Sequence, residues 1–498
     1  MKSKLLLWID GPLYFSIAYN LQKMYDCDIY AIIDVTNKPK NFYINQKIVK
    51  FKKIWFFHDN INKIHTPNLE YLSLFEKKYG INIWKIAINE RLFYNFYNFH
   101  KFSSEEILSI EEDSCKLFEK ILNEVQPDTV LTYTPNFHHS ELFYQLVQAK
   151  DLPILILSNP MIGYKSRISE SREILDSYEN LKMIHDSKRD FNEMREYRNK
   201  HDVAKQIKIS LEHEGFSKSN FIKSFLKFIF SDNSHIKTHY TYFGRTKFSV
   251  IKNSIMNILK IKFREKFMQK NLLHDVDLKK PFVYFPLGAE PESNILLGAP
   301  LFTNQIEMIR TIVKSLPIGY QLYVKENPGQ VDREWRSISV YKEIQNIPNV
   351  KLIHSSFSNE KLLENSSVVI TLAGSSGFEA ACYEKPSIVF SDALYTLLPS
   401  VHRIKEIERL PELIRQCLEE QVDSRDLDKF LQILEKNTFD FDLRGLNTKI
   451  KNHFYYGGYL VNTVITEKQM NSFLKNNEEH LKQLTEEHIK KIKSGNEN

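Results

Sequence analysis

Leu5-Leu6-Leu7-Trp8-Ile9-Asp10-Gly11-Pro12, followed by Tyr14, Ile17, Ala18, Leu21 and Met24, spells a strand, a tight turn and a helix in succession. Five consecutive apolar residues suit a strand buried on both faces of a parallel sheet. Pro12 suits the first turn of a helix, where a missing N–H costs nothing, and the apolar residues after it recur at helical spacing. Ile29 to Ile33, ending at Asp34, and Ile54 to Phe57, ending at His58-Asp59, read as the next two strands. Strand, turn, helix, strand opens a doubly wound α/β unit.

The same grammar runs to about residue 170. Ser104, with Glu105 and Glu106 in the first turn, predicts the cap of a long helix to Val125, stopped by Pro127. Strands follow at Thr129 to Tyr133 and Ile154 to Leu157, with a helix across Glu141 to Ala149 between them, and Ile81 to Ile88 reads as a further strand. The polar ends at Asp10, Asp34, Asp59, Pro135-Asn136 and Ser158-Asn159 then share one carboxyl edge, where open parallel sheets bind ligands.

A second alternation opens at Pro281. Strands are expected at Phe282 to Phe285, Gln321 to Val324, Val350 to Ile353, Val368 to Thr371 and Ser387 to Phe390, with helices between them and a helical stretch from Leu410 to Leu434. The expected organisation is an N-terminal Rossmann-like domain (1–170), a helical basic connector (171–280), a C-terminal Rossmann-like domain (281–435) and a C-terminal helical extension (436–498). Two such domains facing each other across a cleft would make a ligand site at their interface.

The chain has 498 residues, 42% of them hydrophobic and 26% charged, the composition of a folded globular protein. Its net charge of +6 is concentrated between Lys218 and Lys280. Cys27, Cys115, Cys382 and Cys417 are far apart and show no CxxC spacing, so they read as reduced thiols. Asp10-Gly11-Pro12 breaks the first apolar run too early for a signal peptide, and no other run approaches the ~18 apolar residues of a membrane span. The expected location is cytoplasmic, with contact at most to the inner surface of the cell membrane.

Three stretches of the second alternation carry chemistry. Ile370-Thr371-Leu372-Ala373-Gly374-Ser375-Ser376-Gly377-Phe378-Glu379 is a strand entering a helix through a small-residue turn whose amides and hydroxyls can cradle phosphate. Glu379, one turn in, can accept from ribose hydroxyls. The same turn serves equally as a plain capped junction, and it is neither GxGxxG nor a Walker loop. Tyr323-Val324-Lys325-Glu326-Asn327-Pro328 ends a strand in a cation, a carboxylate and an amide, suited to a nucleotide's phosphate and its base or ribose. Tyr284 to Ser293 carries Glu290 and Glu292, either beside the site or simply on the surface.

Tyr284 to Ser293, Gln305 to Lys325, Gly374 to Glu379, Lys385-Pro386 and Val401-His402-Arg403-Ile404 together resemble the capsule polysaccharide biosynthesis family, whose members include bacterial Kdo transferases of GT-B architecture. The resemblance implies a nucleotide-sugar donor on the C-terminal domain, held by Lys325, Glu326, Asn327, Gly374, Ser375, Ser376, Gly377, Glu379, Glu292 and His402, with the acceptor on the N-terminal domain. The family often has His-Pro where this chain has Asn327-Pro328. An amide hydrogen-bonds but is never cationic, which weighs against a CMP-linked donor.

Transfer needs the leaving phosphate stabilised and, for inversion, a base on the acceptor hydroxyl. Asp10, Glu90 and Glu141 are the candidate bases, with Arg91, His138 and Arg167 as candidate acceptor contacts; Arg91 can instead neutralise Glu90. His138 and His139 are adjacent on a helix and point in different directions, so no metal is expected. No cofactor is expected beyond the nucleotide-sugar co-substrate.

The aromatic-basic runs Phe221 to Phe228 and Ile258 to Arg264 suit either docking on an anionic membrane that carries a lipid-linked acceptor, or packing between domains with solvated lysines. No nucleic-acid-binding motif accompanies them. The expected activity is metal-independent glycosyl transfer to a glycan or glycolipid in surface-polysaccharide synthesis. A sugar-nucleotide 2-epimerase and a non-enzymatic capsule assembly protein are the alternatives.

Overall fold

The computed structural model describes residues 2–61, 64–94, 96–160, 162–176, 189–213, 217–231, 239–333 and 335–495. By their contacts they form two compact units, one of 1–172, 201–245 and 436–498, the other of 173–200 and 246–435.

The first unit begins with β1 (Ser3–Ile9), β2 (Cys27–Ile33), β3 (Lys53–Phe56), β4 (Thr129–Tyr133), β5 (Ile154–Ser158) and β6 (Lys165–Ser169). The second contains β7 (Phe282–Pro286), β8 (Gln321–Lys325), β9 (Val350–Ile353), β10 (Val368–Thr371), β11 (Ser387–Val389) and β12 (Val401–Arg403). A last short strand, β13 (Phe439–Asp440), returns to the first sheet. The two orders are β13-β6-β5-β4-β1-β2-β3 and β12-β11-β10-β7-β8-β9. In each, the second and third strands step outward from the first and the chain then crosses back to its other side. This is the doubly wound Rossmann-type order, with topological switch points between β1 and β4 and between β7 and β10. The second sheet is parallel throughout, while the first carries antiparallel β6 and β13 at one edge.

The apolar run of β1 is divided as a pleated strand requires. Leu5, Leu7 and Ile9 enter one core with Ala31, Ile33, Leu131 and Leu157; Leu6 and Trp8 enter another with Ile32, Val130 and Ile156. The second core is covered by helix Ser104–Val125, whose cap is Ser103 in a reciprocal capping box with Glu106, one residue earlier than predicted. The first core is covered partly from the other end of the chain, by Leu443, Leu446, Ile450, Phe454, Met470, Phe473, Leu481 and Leu484. In the second unit Val283, Phe285, Leu322, Val324 and Ile370 face one core and Phe282, Tyr284, Tyr323 and Val369 the other.

Two doubly wound α/β units are what the sequence predicts. The supposed connector divides: 201–245 joins the first unit and 173–200 with 246–280 joins the second, while 177–188, 214–216 and 232–238 lie outside the described residues. The supposed extension from 436 is part of the first unit. Ile81 to Ile88 is no strand. Ile83–Ala87 is a short helix capped by the Asn82 side chain, which buries Ile83, Ile86 and Ala87 on one face.

Candidate functional site

Asp10 follows β1 at the first unit's switch point, with Gly11 and Pro12 opening helix Pro12–Met24 behind it. Its side chain keeps solvent exposure, yet the surrounding protein strips it of water and the negative charge of Asp34 lies close. Together these push its carboxyl up to about 6. Asp34 ends β2 between two imidazoles, with Oδ2 2.8 Å from His139 Nε2 and Oδ1 3.1 Å from His58 Nε2. Burial opposes its ionisation, but His139 and His58 outweigh it and hold the carboxyl far below the usual range. The His58 ring also stacks on His239 at 4.3 Å. Sequence reading placed Asp34 and His58-Asp59 on this edge without assigning Asp34, His58, His139 or His239 a role; strand-end position was the available signal.

The other first-unit candidates are enclosed. Glu90 accepts from the backbone N–H of His138 and of Leu92, and Glu141 is paired with Arg172 at 2.7 Å; both are buried. Arg91 donates to the Asn136 carbonyl and lies over the Phe137 ring. His138 is fully buried, with Nδ1 2.6 Å from Glu111 and Nε2 2.9 Å from the Tyr240 hydroxyl. Arg167 is 1% exposed and donates to the carbonyls of Ser171 and Arg172. Neither His138 nor Arg167 presents a free polar atom to an acceptor, because strand and helix packing encloses both. Of the six residues, Asp10 alone is exposed.

In the second unit, Lys325 ends β8 in register with Pro286 of β7 and Ile353 of β9. It is 5% exposed, and no hydrogen bond or ion pair holds its ammonium among the described residues. Burial pulls it down to about 8, against the opposing pull of Glu326 and Glu379. Glu326 is committed elsewhere. It accepts from Arg336 Nε at 3.0 Å and the Tyr341 hydroxyl at 2.8 Å, and is wholly buried. Arg336 also bonds the Gly288 carbonyl and pairs with Glu290 at 2.9 Å, tying three loops together. Sequence reading missed Arg336, which sits ten residues past Glu326. Asn327 Oδ1 accepts from the Gly329 N–H at 2.9 Å, so the amide is partly spent on its own turn. His354, after β9, bonds Ser356 Oγ and packs its ring at a tilt against His274; burial first, then His274 and Lys325, lower its pKa.

The Gly374 turn follows β10 at the second switch point. Gly374 N–H donates to Thr371 Oγ1, and the Gly374 carbonyl accepts from the Tyr395 hydroxyl. Gly377 is buried, and a Cβ there would lie 2.6 Å from the Tyr395 ring. Ser375 is exposed and Ser376 half-buried, and Ser375 Oγ donates to Glu379. Glu379 is also paired with Arg198 at 2.9 Å, from helix Phe191–Lys200. Glu292 pairs with Arg333 at 2.6 Å.

His402 lies within β12 rather than at its end, with Nε2 2.5 Å from Glu420, past the helix Leu410–Glu419. The Cys417 sulfur joins them in a group whose ligand atoms lie within 4.8 Å of one another, the one such metal-capable group among the described residues. His402, expected to contact the donor, has its Nε2 turned to the Glu420 carboxylate in this structure.

The comparisons bear on these motifs. Residues 203–398 match the family described as "Capsule polysaccharide biosynthesis protein". That span holds the Lys325 and Gly374 stretches, so the resemblance read from them is borne out there. No match to a curated protein was found. Similar solved structures include the UDP-GlcNAc 2-epimerase of Methanocaldococcus jannaschii, 13% identical over 88% of this chain and 100% of that one, TM-score 0.25. Two others are KpsC structures from Thermosulfurimonas dismutans. The β-Kdo 2,7 transferase is 11% identical over 66% and 80% of the two chains, TM-score 0.28. The β-Kdo 2,4 transferase is 13% identical over 61% and 79%, TM-score 0.30.

Proposed function

We propose that the chain is a glycosyltransferase of capsule or surface-polysaccharide synthesis, which moves a sugar from a nucleotide-sugar donor to a glycan or glycolipid acceptor. The observation that carries the reading is Lys325, a buried residue at the carboxyl edge of a Rossmann-type sheet whose ammonium has no partner among the described residues. An unpaired buried cation is costly, and the phosphate of a sugar nucleotide is the counter-charge that relieves it. The Ser376 hydroxyl and the amides of the turn supply further donors to the same phosphate, joined by the Ser375 hydroxyl when it turns from Glu379, with Glu379 and Asn327 toward the nucleoside. Glu326 acts on the site indirectly, by fixing the loop through Arg336.

In this reading the acceptor oxygen attacks the anomeric carbon and the bond from that carbon to the phosphate oxygen breaks. The phosphate leaves with the electron pair, and the hydroxyl proton passes to the Asp10 carboxylate. Lys325 neutralises the charge that grows on the leaving phosphate, which is where catalytic electrostatics acts most strongly. A carboxyl raised to about 6 is ionised at neutral pH and remains a better base than an ordinary one. No metal is assigned a step in this reading.

Thermal melting with UDP, GDP, CDP and CMP and their sugars tests the donor half. One nucleotide should stabilise the native protein and fail to stabilise Lys325→Ala. Equal stabilisation of that variant, or none of the wild type by any nucleotide, overturns the assignment. Acceptor-dependent release of the nucleotide separates transfer from epimerisation, which needs no acceptor.

A further inference from the structure

The helix Lys247–Asn271 is 25 residues long, and among its residues Met268 alone is buried. Its C-terminal half is docked on the second unit: Ile261 and Phe267 pack against that core, and Arg264 donates to the Trp335 carbonyl. The opposite side is bare. Phe248, Ile255, Leu259 and Phe263 follow one another at intervals of seven, four and four residues and so form one stripe, and all are exposed, Phe263 by 69%. Ile258 and Met256, flanking the stripe, are exposed as well.

The charges on this helix are one-sided. It holds seven lysines and arginines against the single acid Glu265. Lys252, Lys262, Lys266 and Lys270 are exposed and make no ion pair among the described residues. A second helix, Lys218–Phe230 of the other unit, repeats the composition, with Phe221, Ile222, Phe225 and Leu226 exposed and Lys223 and Lys227 beside them. No described helix is long and apolar enough to cross a membrane.

We propose that the outward face of helix Lys247–Asn271 docks on an anionic phospholipid surface. Its apolar stripe enters the headgroup boundary while the lysine stems reach out to phosphates. Charge selects this occupant. A second copy of the chain in a twofold contact would set these lysines against their own counterparts. A nucleic-acid partner would leave Ile255, Ile258 and Leu259 without a stacking role. The inference is independent of the donor site, whose assignment stands or falls by nucleotide binding.

Sedimentation of the full chain with phosphatidylglycerol-containing vesicles and with pure phosphatidylcholine vesicles tests it. Binding is expected to the anionic vesicles and to fall as salt screens the lysines. Each lysine removed should weaken it about fivefold, so K252Q/K262Q/K266Q/K270Q loses nearly all of it. F248S/L259S/F263S should also release the protein, and both variants should melt as the wild type does because the changed side chains are exposed. Equal binding to both vesicle types, or undiminished binding of either variant, overturns the proposal. So does a concentration-dependent dimer that F248S/L259S/F263S dissolves, since the stripe is then a self-association face.

Discussion

Protonation of Asp10 and Lys325 sets opposite edges of a pH window. Asp10 accepts a proton only when ionised, so activity should be lost as pH falls through about 6. Lys325 binds phosphate only when charged, so activity should also fall as pH rises through about 8. The kcat/KM profile, which reports the free enzyme, should therefore be a bell between those values. Asp10→Asn should cut kcat by roughly 10²–10⁴ and erase the acidic limb. Lys325→Ala removes a charged hydrogen bond and should weaken donor binding roughly ten- to a hundredfold, read by titration of the nucleotide. Sequence reading named both residues because each closes an apolar run at a strand end. It named His138 and Arg167 for polar side chains near a helix start and after a loop, and neither position reports depth. Whether a polar side chain is open to a ligand depends on what distant segments lay over it, and local spacing carries no trace of that.

The Glu326–Arg336 pair shows how an element carries a motif without touching ligand. Arg336→Met strands Glu326 in the protein interior and should lower stability by about 3–5 kcal/mol in denaturant unfolding. Arg333→Met breaks the partly exposed pair with Glu292 and should cost under about 1 kcal/mol. At the Gly374 turn, Gly377→Ala drives a methyl into Tyr395 and Val389 and should cost about 1–3 kcal/mol, with weaker donor binding because the turn shifts. Strands were legible here because a parallel sheet demands continuous apolar runs between polar ends. Ile81 to Ile88 shows the limit, since a short apolar run serves a helix as readily as a strand, and the Asn82 cap decided between them.

At the scale of the molecule, the two sheets and their strand orders follow the alternation visible in the sequence, whereas the assignment of segments to units does not. The chain leaves the first unit after Arg172, returns from His201 to Arg245, and returns again from Lys436. No composition shift marks those crossings, because a helix that covers its own sheet has the same apolar stripe as one that covers another. Deleting 436–498 should expose the first-unit core faced by Leu446, Phe454, Phe473 and Leu484 and give an aggregating product, read by light scattering of the purified fragment. The late return of these helices also matters during synthesis. When the ribosome has made β1 to β6, one side of their sheet still lacks its cover, and Leu484 is more than 300 residues away. At ~5–20 residues per second that interval is on the order of tens of seconds. A nascent chain holding an uncovered apolar sheet for so long is a client for holdase chaperones, and starving the cell of them should deplete this protein sooner than one whose first domain closes on itself.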